Sequence, residues 1–131
     1  MKAKKTILFV EDDFPTIDVY KTAMVAAGFS VETITIGSEA IEKLNKIEEK
    51  KTKKPDLILL DFLLPDINGI EVLRAIKTNE KTKDIPVFVL TNYASKALKK
   101  EGLALGADKY LVKTDYPPTK LVGVIKKSFK G

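Results

Sequence analysis

Three runs of consecutive apolar residues constrain the fold of this chain more than any other feature. They are Ile7-Leu8-Phe9-Val10, Leu57-Ile58-Leu59-Leu60 and Val87-Phe88-Val89-Leu90. A strand that is apolar at every position must be buried on both faces, which is typical of parallel sheets with helices on either side. Segments with apolar residues at helical spacing follow each run. The chain is therefore predicted to be an α/β protein with a parallel sheet.

Five strand–helix units can be counted along the chain. The stretch 31–36 alternates polar and apolar residues, as a half-exposed edge strand does. Residues 109–112 are predicted to be the fifth strand. Right-handed crossovers between parallel strands then favour the strand order 2-1-3-4-5. We expect a flavodoxin-like, doubly wound (βα)5 fold with a five-stranded parallel sheet, in a single domain over residues 1–131.

The helices are predicted from the spacing of their apolar residues. The first helix has apolar residues at helical spacing, which should form its inner face: Phe14, Ile17, Tyr20, Met24 and Ala27. Gly28 should end this helix as a left-handed cap. The fourth helix is expected from Ala94 onwards, with its end at Gly102 or Gly106.

Carboxylates directly follow two of the predicted strands. Glu11-Asp12-Asp13 follows the first strand, and Asp61 follows the third. In the order 2-1-3-4-5 these strands flank the switch point, where open α/β sheets bind ligands. Carboxylates that are brought together repel one another unless a cation lies among them. Mg²⁺ prefers oxygen ligands and is usually held by one or two carboxylates plus phosphate. We therefore predict a Mg²⁺ site at this edge, with one Asp available as a nucleophile.

Two further polar residues end predicted strands at the same edge of the sheet. Thr91 ends the fourth strand, and Lys113 ends the fifth. The lysine could pair with phosphoryl oxygens as a point charge, and the threonine hydroxyl could donate a hydrogen bond. Phosphoryl transfer depends mainly on positioning and electrostatic stabilisation. Glu11, Asp12, Asp61, Thr91 and Lys113 are therefore candidate residues for phosphoryl chemistry.

Composition excludes several other kinds of site. The chain contains no Cys and no His, which excludes disulfides, zinc fingers and catalysis by histidine. No apolar stretch is long enough to span a bilayer, and no secretory signal follows the basic N-terminus, so we expect a cytoplasmic protein without a membrane partner. The net charge is +5, and the densest lysine run lies at residues 50–54. No aromatic residue interleaves that run, so direct nucleic-acid binding is not expected.

Four motifs occur in register along essentially the whole chain. Together they resemble the receiver domain of response regulators in two-component signalling, in the form of a single-domain, chemotaxis-regulator-like receiver. The motifs are the acidic pair Glu11-Asp12, the stretch Asp61-Phe62-Leu63-Leu64-Pro65-Asp66-Ile67-Asn68-Gly69, then Val89-Leu90-Thr91, and Gly106-Ala107-Asp108-Lys109-Tyr110-Leu111-Val112-Lys113.

The resemblance implies a role for each candidate residue. Asp61 would accept a phosphoryl group from a phosphohistidine on a sensor histidine kinase or phosphotransfer protein. Thr91 would move toward the phosphorylated Asp61 and Tyr110 would rotate inward, which would switch the surface of helix 4, strand 5 and helix 5 for an output protein. The chain would thus be a signalling domain that catalyses only its own phosphorylation and dephosphorylation. The implied ligands of Mg²⁺ are Asp12, Glu11 through water, Asp61, and the backbone carbonyl of Leu63.

The chain departs from the usual receiver pattern beside the candidate site. Thr114 follows Lys113 where the family typically has a proline in a cis peptide bond, so the reach of Lys113 depends on whether this bond is cis or trans. Leu63 and Tyr93 are bulky residues that flank the path of an attacking water in this fold. Because Leu63 cannot orient water by hydrogen bonding, we predict slow loss of the phosphoryl group from Asp61.

Other interpretations remain open from the sequence. One is a pseudo-receiver, which would bind partners without phosphorylation, and another is a phosphatase that forms an aspartyl phosphate. The lysines at positions 96, 99 and 100 of the fourth helix suggest an acidic partner for the output face, whereas a purely solubilising role is the simpler alternative. A homodimer through the same face is a further alternative.

Overall fold

A computed structural model describes residues 4–48 and 53–130 of the chain. Five strands alternate with five α-helices, and a short 3-10 helix, Lys113–Asp115, follows the last strand. The strands are β1 Thr6–Val10, β2 Ser30–Ile34, β3 Leu57–Leu60, β4 Val87–Thr91 and β5 Lys109–Val112. The helices are α1 Phe14–Ala26, α2 Gly37–Glu48, α3 Gly69–Thr78, α4 Lys96–Ala104 and α5 Pro118–Phe129.

All strand pairs are parallel, and the order in the sheet is β2-β1-β3-β4-β5. This confirms the predicted fold class and the predicted order. The registers place Val10 beside Leu60, so that β1 and β3 end at the same level. A hydrogen bond of 3.0 Å from the Asp61 amide to the Val10 carbonyl continues this pairing by one residue. The two acidic segments therefore leave the sheet side by side.

Helices cover both faces of the sheet and create two apolar cores. On one face, α2, α3 and α4 pack against alternate residues of the central strands, such as Leu8 and Ile58. On the other face, α1 and α5 pack against the intervening residues, such as Phe9 and Leu59. Every residue of β3 and β4 is buried, because each strand contributes to both cores. The continuous apolar runs are explained by this double burial.

The prediction that Phe14 faces the core is wrong, since its side chain is 74% exposed. Ile17 and Tyr20 are buried as predicted. The reason for the difference is geometric: β1 ends at Val10, so the first turn of α1 extends beyond the edge of the sheet. Helical spacing gives the face of a helix, but it does not show where the sheet beneath that helix stops.

Two element boundaries also differ from the prediction. β2 covers Ser30–Ile34 and not residues 31–36, because its ends are fixed by pairing with the five residues of β1. Ala94 lies before α4, which begins at Lys96 after the Ser95 side chain accepts a hydrogen bond from the Leu98 amide. α4 ends before Gly106, which has a φ of +110°.

The lysine run at residues 50–54 lies partly outside the described residues, since 49–52 are not described. Within the described ranges, no helix is both long and apolar enough to cross a membrane.

Candidate functional site

Three carboxylates meet at the carboxyl end of β1 and β3. Glu11, Asp12 and Asp61 each offer an oxygen atom, and these atoms all lie within 4.8 Å of one another. The matched ends of the two strands account for this proximity. Glu11 and Asp61 are buried, whereas Asp12 is exposed. The cluster is thus open to solvent on the side of Asp12.

Burial dominates the electrostatics of Glu11, whose side chain is only 1% exposed. Burial raises the pKa of Glu11 to about 7, and the nearby charge of Asp61 acts in the same direction. Opposing hydrogen bonds from Lys113 and from the backbone limit the rise in pKa. The backbone donors are the amides of Asp12 and Asp13, each 3.1 Å from Glu11 Oε2.

Lys113 reaches both buried carboxylates from the end of β5. Its Nζ lies 2.6 Å from Glu11 Oε1 and 3.5 Å from Asp61 Oδ2. Burial alone would lower the pKa of Lys113, but the hydrogen bond to Glu11 and the charges of Asp61 and Glu11 raise it. Among the described residues no peptide bond is cis, so the Lys113–Thr114 bond is trans. The lysine therefore reaches the carboxylates without the cis bond that the family typically has at this position.

Thr91 ends β4, the strand next to β3, and it is connected to Tyr110 of β5 through Tyr93. Thr91 is fully buried at the end of β4, and its hydroxyl oxygen accepts a hydrogen bond of 3.4 Å from the Tyr93 amide. The phenol of Tyr110 donates a 2.7 Å hydrogen bond to the Tyr93 carbonyl. Tyr110 is itself buried, so its ring already lies inward in this structure. Burial, followed by the charge of Asp61, raises the pKa of this phenol.

The segment between β3 and α3 is held in place by hydrogen bonds. The amide of Leu63 donates to Asp61 Oδ1 at 3.2 Å, and Leu63 forms an antiparallel bridge with Asn68. Asp66 accepts hydrogen bonds from the amides of Gly37 and Ser38 at 2.8 and 2.9 Å, at the N-terminus of α2. These bonds attach the segment that carries Leu63 to the neighbouring helix.

The donor set fits a hard divalent cation. Three carboxylates with oxygen atoms this close repel one another, and one lysine balances only part of their charge. Oxygen-only ligands with an open, solvent-facing side suit Mg²⁺ or Mn²⁺, which keep several bound waters. The cluster could therefore bind a metal ion through Glu11, Asp12 and Asp61.

The carboxylates thus form an acidic pocket at the switch point of a doubly wound sheet, and this pocket could hold a metal ion. Residues 7–126 match the family described as the response regulator receiver domain. Because the match covers most of the chain, this protein belongs to that family, as the sequence motifs indicated.

Among curated proteins, the chain is similar to the phosphate regulon transcriptional regulatory protein PhoB of Pseudomonas aeruginosa. The two are 38% identical over 125 residues, which is 93% of this chain and 50% of that protein. The chain thus spans about half the length of this relative.

Solved structures show the same architecture. The phosphorylated cyanobacterial phytochrome response regulator RcpA has a TM-score of 0.83 and 32% identity, with 96% of this chain and 91% of that chain covered. The Mn²⁺-bound form of the response regulator Rcp1 has a TM-score of 0.83 and 30% identity, with 95% and 94% covered. A receiver with a very similar fold therefore binds a divalent metal.

All five residues that the sequence singled out lie together at one edge of the sheet. Two residues with clear structural roles there were missed. Asp66 was named only as part of a motif, although an acidic residue in such a segment can also cap a helix N-terminus. Phe62 was quoted only as part of a motif, and no local sequence signal shows that its ring packs on Tyr110.

Proposed function

We propose that this receiver accepts a phosphoryl group on Asp61 in a Mg²⁺-dependent reaction. The observation that carries the proposal is the convergence of Asp61 with two acidic residues and Lys113 at the switch point of the sheet. The proposed donor is a phosphohistidine on a sensor histidine kinase or phosphotransfer protein, and residues 1–131 cannot themselves carry it because they contain no His. The proposed function is that of a signalling domain and not of an enzyme acting on a separate substrate.

In the proposed reaction, a carboxylate oxygen of Asp61 attacks the phosphorus atom of the donor. The new P–O bond forms as the P–N bond to the donor imidazole breaks, and the imidazole leaves with the electron pair of that bond. Lys113 pairs with one phosphoryl oxygen, and the Thr91 hydroxyl donates a hydrogen bond to another. Asp12, Asp61, the Leu63 carbonyl and, through water, Glu11 would hold Mg²⁺, which would supply positive charge against the phosphoryl oxygens.

Phosphorylation then changes the surface formed by α4, β5 and α5. We infer that Thr91, when bonded to the phosphoryl group, holds Tyr93 and through it the inward position of Tyr110. The contacts that support this inference are the hydrogen bonds from the Tyr93 amide to the Thr91 hydroxyl and from Tyr110 to the Tyr93 carbonyl. Tyr110 also lines a groove of about 300 Å³ between α4 and the residues after β5, where a partner protein would meet it.

The charge of this surface favours an acidic output partner. Residues 96–131 contain nine lysines and three acidic residues, whereas the rest of the chain has 14 basic and 15 acidic residues. Lys96 and Lys99 line the groove beside Tyr110 and Tyr116. A two-fold homodimer through this face would place lysines of one copy near those of the other, which is unfavourable. We therefore favour a partner segment with acidic side chains.

The test is intact mass after incubation with phosphoramidate or acetyl phosphate, with and without Mg²⁺. One added phosphoryl group that requires Mg²⁺ and is absent from Asp61→Asn is the expected result. If no mass is added and Mg²⁺ does not raise the thermal midpoint either, the protein is a phosphorylation-independent binding module. If Asp61 is phosphorylated but a small phosphoester is also turned over, the phosphatase alternative replaces the proposal.

A further inference from the structure

Phe62 is buried where three elements meet, one residue after Asp61. Its ring packs edge-on against the ring of Tyr110, with centroids 5.9 Å apart and an interplanar angle of 67°. Its backbone carbonyl accepts a 2.9 Å hydrogen bond from the amide of Gly69, the first residue of α3. The far end of its ring lies over Gly102 in α4. Phe62 therefore contacts β5, α3 and α4 directly beside the proposed phosphoacceptor.

The contact with α4 depends on the absence of a side chain at position 102. A Cβ atom at Gly102 would lie 3.1 Å from Cζ of Phe62 and 3.4 Å from Cε2. The first distance is shorter than an ordinary contact between carbon atoms. A glycine inside a helix destabilises it relative to alanine, yet Gly102 lies inside α4 and is buried. The space taken by the Phe62 ring explains why a glycine stands there.

Through Tyr110, Phe62 also contacts a chain of hydrogen bonds that links Thr91 to the surface of α4 and β5. Tyr110, which Phe62 contacts, donates its hydrogen bond to the Tyr93 carbonyl. The Tyr93 amide in turn donates to Thr91. Tyr110 is therefore held from two sides, by hydrogen bonding through Tyr93 and by packing against Phe62.

We propose that Phe62 is a positioning residue that seats α4 through Gly102 and holds Tyr110 inward. A displacement of the chain at Asp61 then reaches α4 through packing, in addition to the route through Thr91. This inference rests on the proposed function, because it concerns how phosphorylation of Asp61 reaches the output surface. Phe62 and Gly102 act together in this role, because the ring fits against α4 only where a side chain is absent.

The packing is tested by thermal unfolding of Gly102→Ala in two backgrounds. With Phe62 present, the added methyl group pushes against the ring, and the midpoint falls despite the better helix propensity of alanine. In the Phe62→Leu background the ring is absent, so Gly102→Ala raises the midpoint by about 2–4 °C. Gly123→Ala in α5 is the matched control, since a Cβ there meets nothing within 4 Å, and it should raise the midpoint in both backgrounds. A rise for Gly102→Ala in both backgrounds would overturn the proposal.

The coupling is tested by hydrogen exchange of the α4 amides before and after phosphorylation with phosphoramidate and Mg²⁺. Intact mass gives the phosphorylated fraction of each sample. In Phe62→Leu we expect the same phosphorylated fraction as in the wild type, with a smaller change in exchange at α4 and faster exchange there before phosphorylation. An unchanged α4 response in Phe62→Leu would refute the role of Phe62. If the wild type gains no mass and Mg²⁺ does not raise its thermal midpoint, the proposed function is rejected instead, and the thermal experiment still decides whether Phe62 seats α4.

Discussion

Replacing Lys113 with methionine tests whether the candidate site is held together by a buried ion pair. The Lys113 side chain is 9% exposed and that of Glu11 1% exposed, with 2.6 Å between Nζ and Oε1. Methionine keeps much of the length and apolar volume of the lysine stem but removes the charge. Glu11 and Asp61 then remain close together without their cation. Removing one member of a buried pair costs about 3–5 kcal/mol.

The expected loss for Lys113→Met lies at the lower end of that range. Glu11 keeps its two hydrogen bonds from the backbone amides, and it can also take up a proton. We expect the metal-free variant to lose about 3 kcal/mol of unfolding free energy at pH 8. A typical domain has about 5–15 kcal/mol, so the variant should remain folded.

The loss should depend on pH with a definite sign. The pKa of Glu11 is already raised from 4.5 to about 7 in the folded protein, and removal of the lysine raises it further. A group whose pKa is higher in the folded state stabilises the fold when protonated, and this contribution disappears as pH rises through the folded pKa. The variant should therefore be closer to the wild type at pH 5.5 than at pH 8. Added Mg²⁺ should restore part of the loss at pH 8 by supplying positive charge.

The assay is urea unfolding at both pH values with and without Mg²⁺, and Lys43→Met is its control. Lys43 pairs with Glu32 at 2.9 Å, but the Glu32 side chain is 52% exposed. A pair of that kind contributes about 0–1 kcal/mol. A loss for Lys113→Met no larger than that of the control would refute the buried-pair argument. Equal losses at pH 5.5 and pH 8 would show that Glu11 is not the group left uncompensated.

Three further predictions concern the segment from the end of β3 to the first residue of α3. Leu63→Asn should speed loss of the phosphoryl group from Asp61 about fivefold, which corresponds to one water-orienting hydrogen bond of about 1 kcal/mol. The measurement is a time course of intact mass. An unchanged rate of loss would contradict the predicted long lifetime. Asp66, whose pKa is lowered from 3.8 to about 2 by hydrogen bonds at Ser38 and Gly37, should stabilise the protein above pH 4. The stability difference between wild type and Asp66→Asn in urea should therefore shrink as pH falls from 4 to 2, and a constant difference would exclude this role. Gly69→Ala should cost about 1–3 kcal/mol in the same assay, because a Cβ would lie 2.5 Å from the backbone of Asp61 and Phe62; a neutral effect would mean that this backbone can yield.

The sequence predicted the sheet well because the burial of each strand is reflected in its residue types. β3 and β4 are apolar throughout, and both are buried on both faces. Strand order followed from the alternation in the second strand, and strand order in turn brought Glu11 and Asp61 to the same place. The candidate site was therefore accessible from topology together with the residue types at strand ends.

What the sequence did not reveal depends on contacts between distant segments. The exposure of Phe14 depends on where β1 stops beneath α1, and helical spacing does not contain that information. The contacts from Asp66 to Gly37 and from Phe62 to Gly102 join residues 29 and 40 positions apart. Neither contact has a periodic signature, and Gly102 looked only like a candidate end of α4. Such features depend on how side chains from distant segments pack together, which residue type alone does not specify.

Charge balance explains why these carboxylates can lie so close together at the end of the sheet. Glu11, Asp12 and Asp61 carry up to three negative charges, and Lys113 supplies one positive charge. Burial raises the pKa of Glu11 to about 7, and the nearby charge of Asp61 adds to this rise. A divalent ion among the three oxygens would neutralise the remaining charge and favour the ionised form of Glu11. Metal binding should therefore release a proton near pH 7, and the site would then present a near-neutral pocket to an incoming phosphoryl dianion.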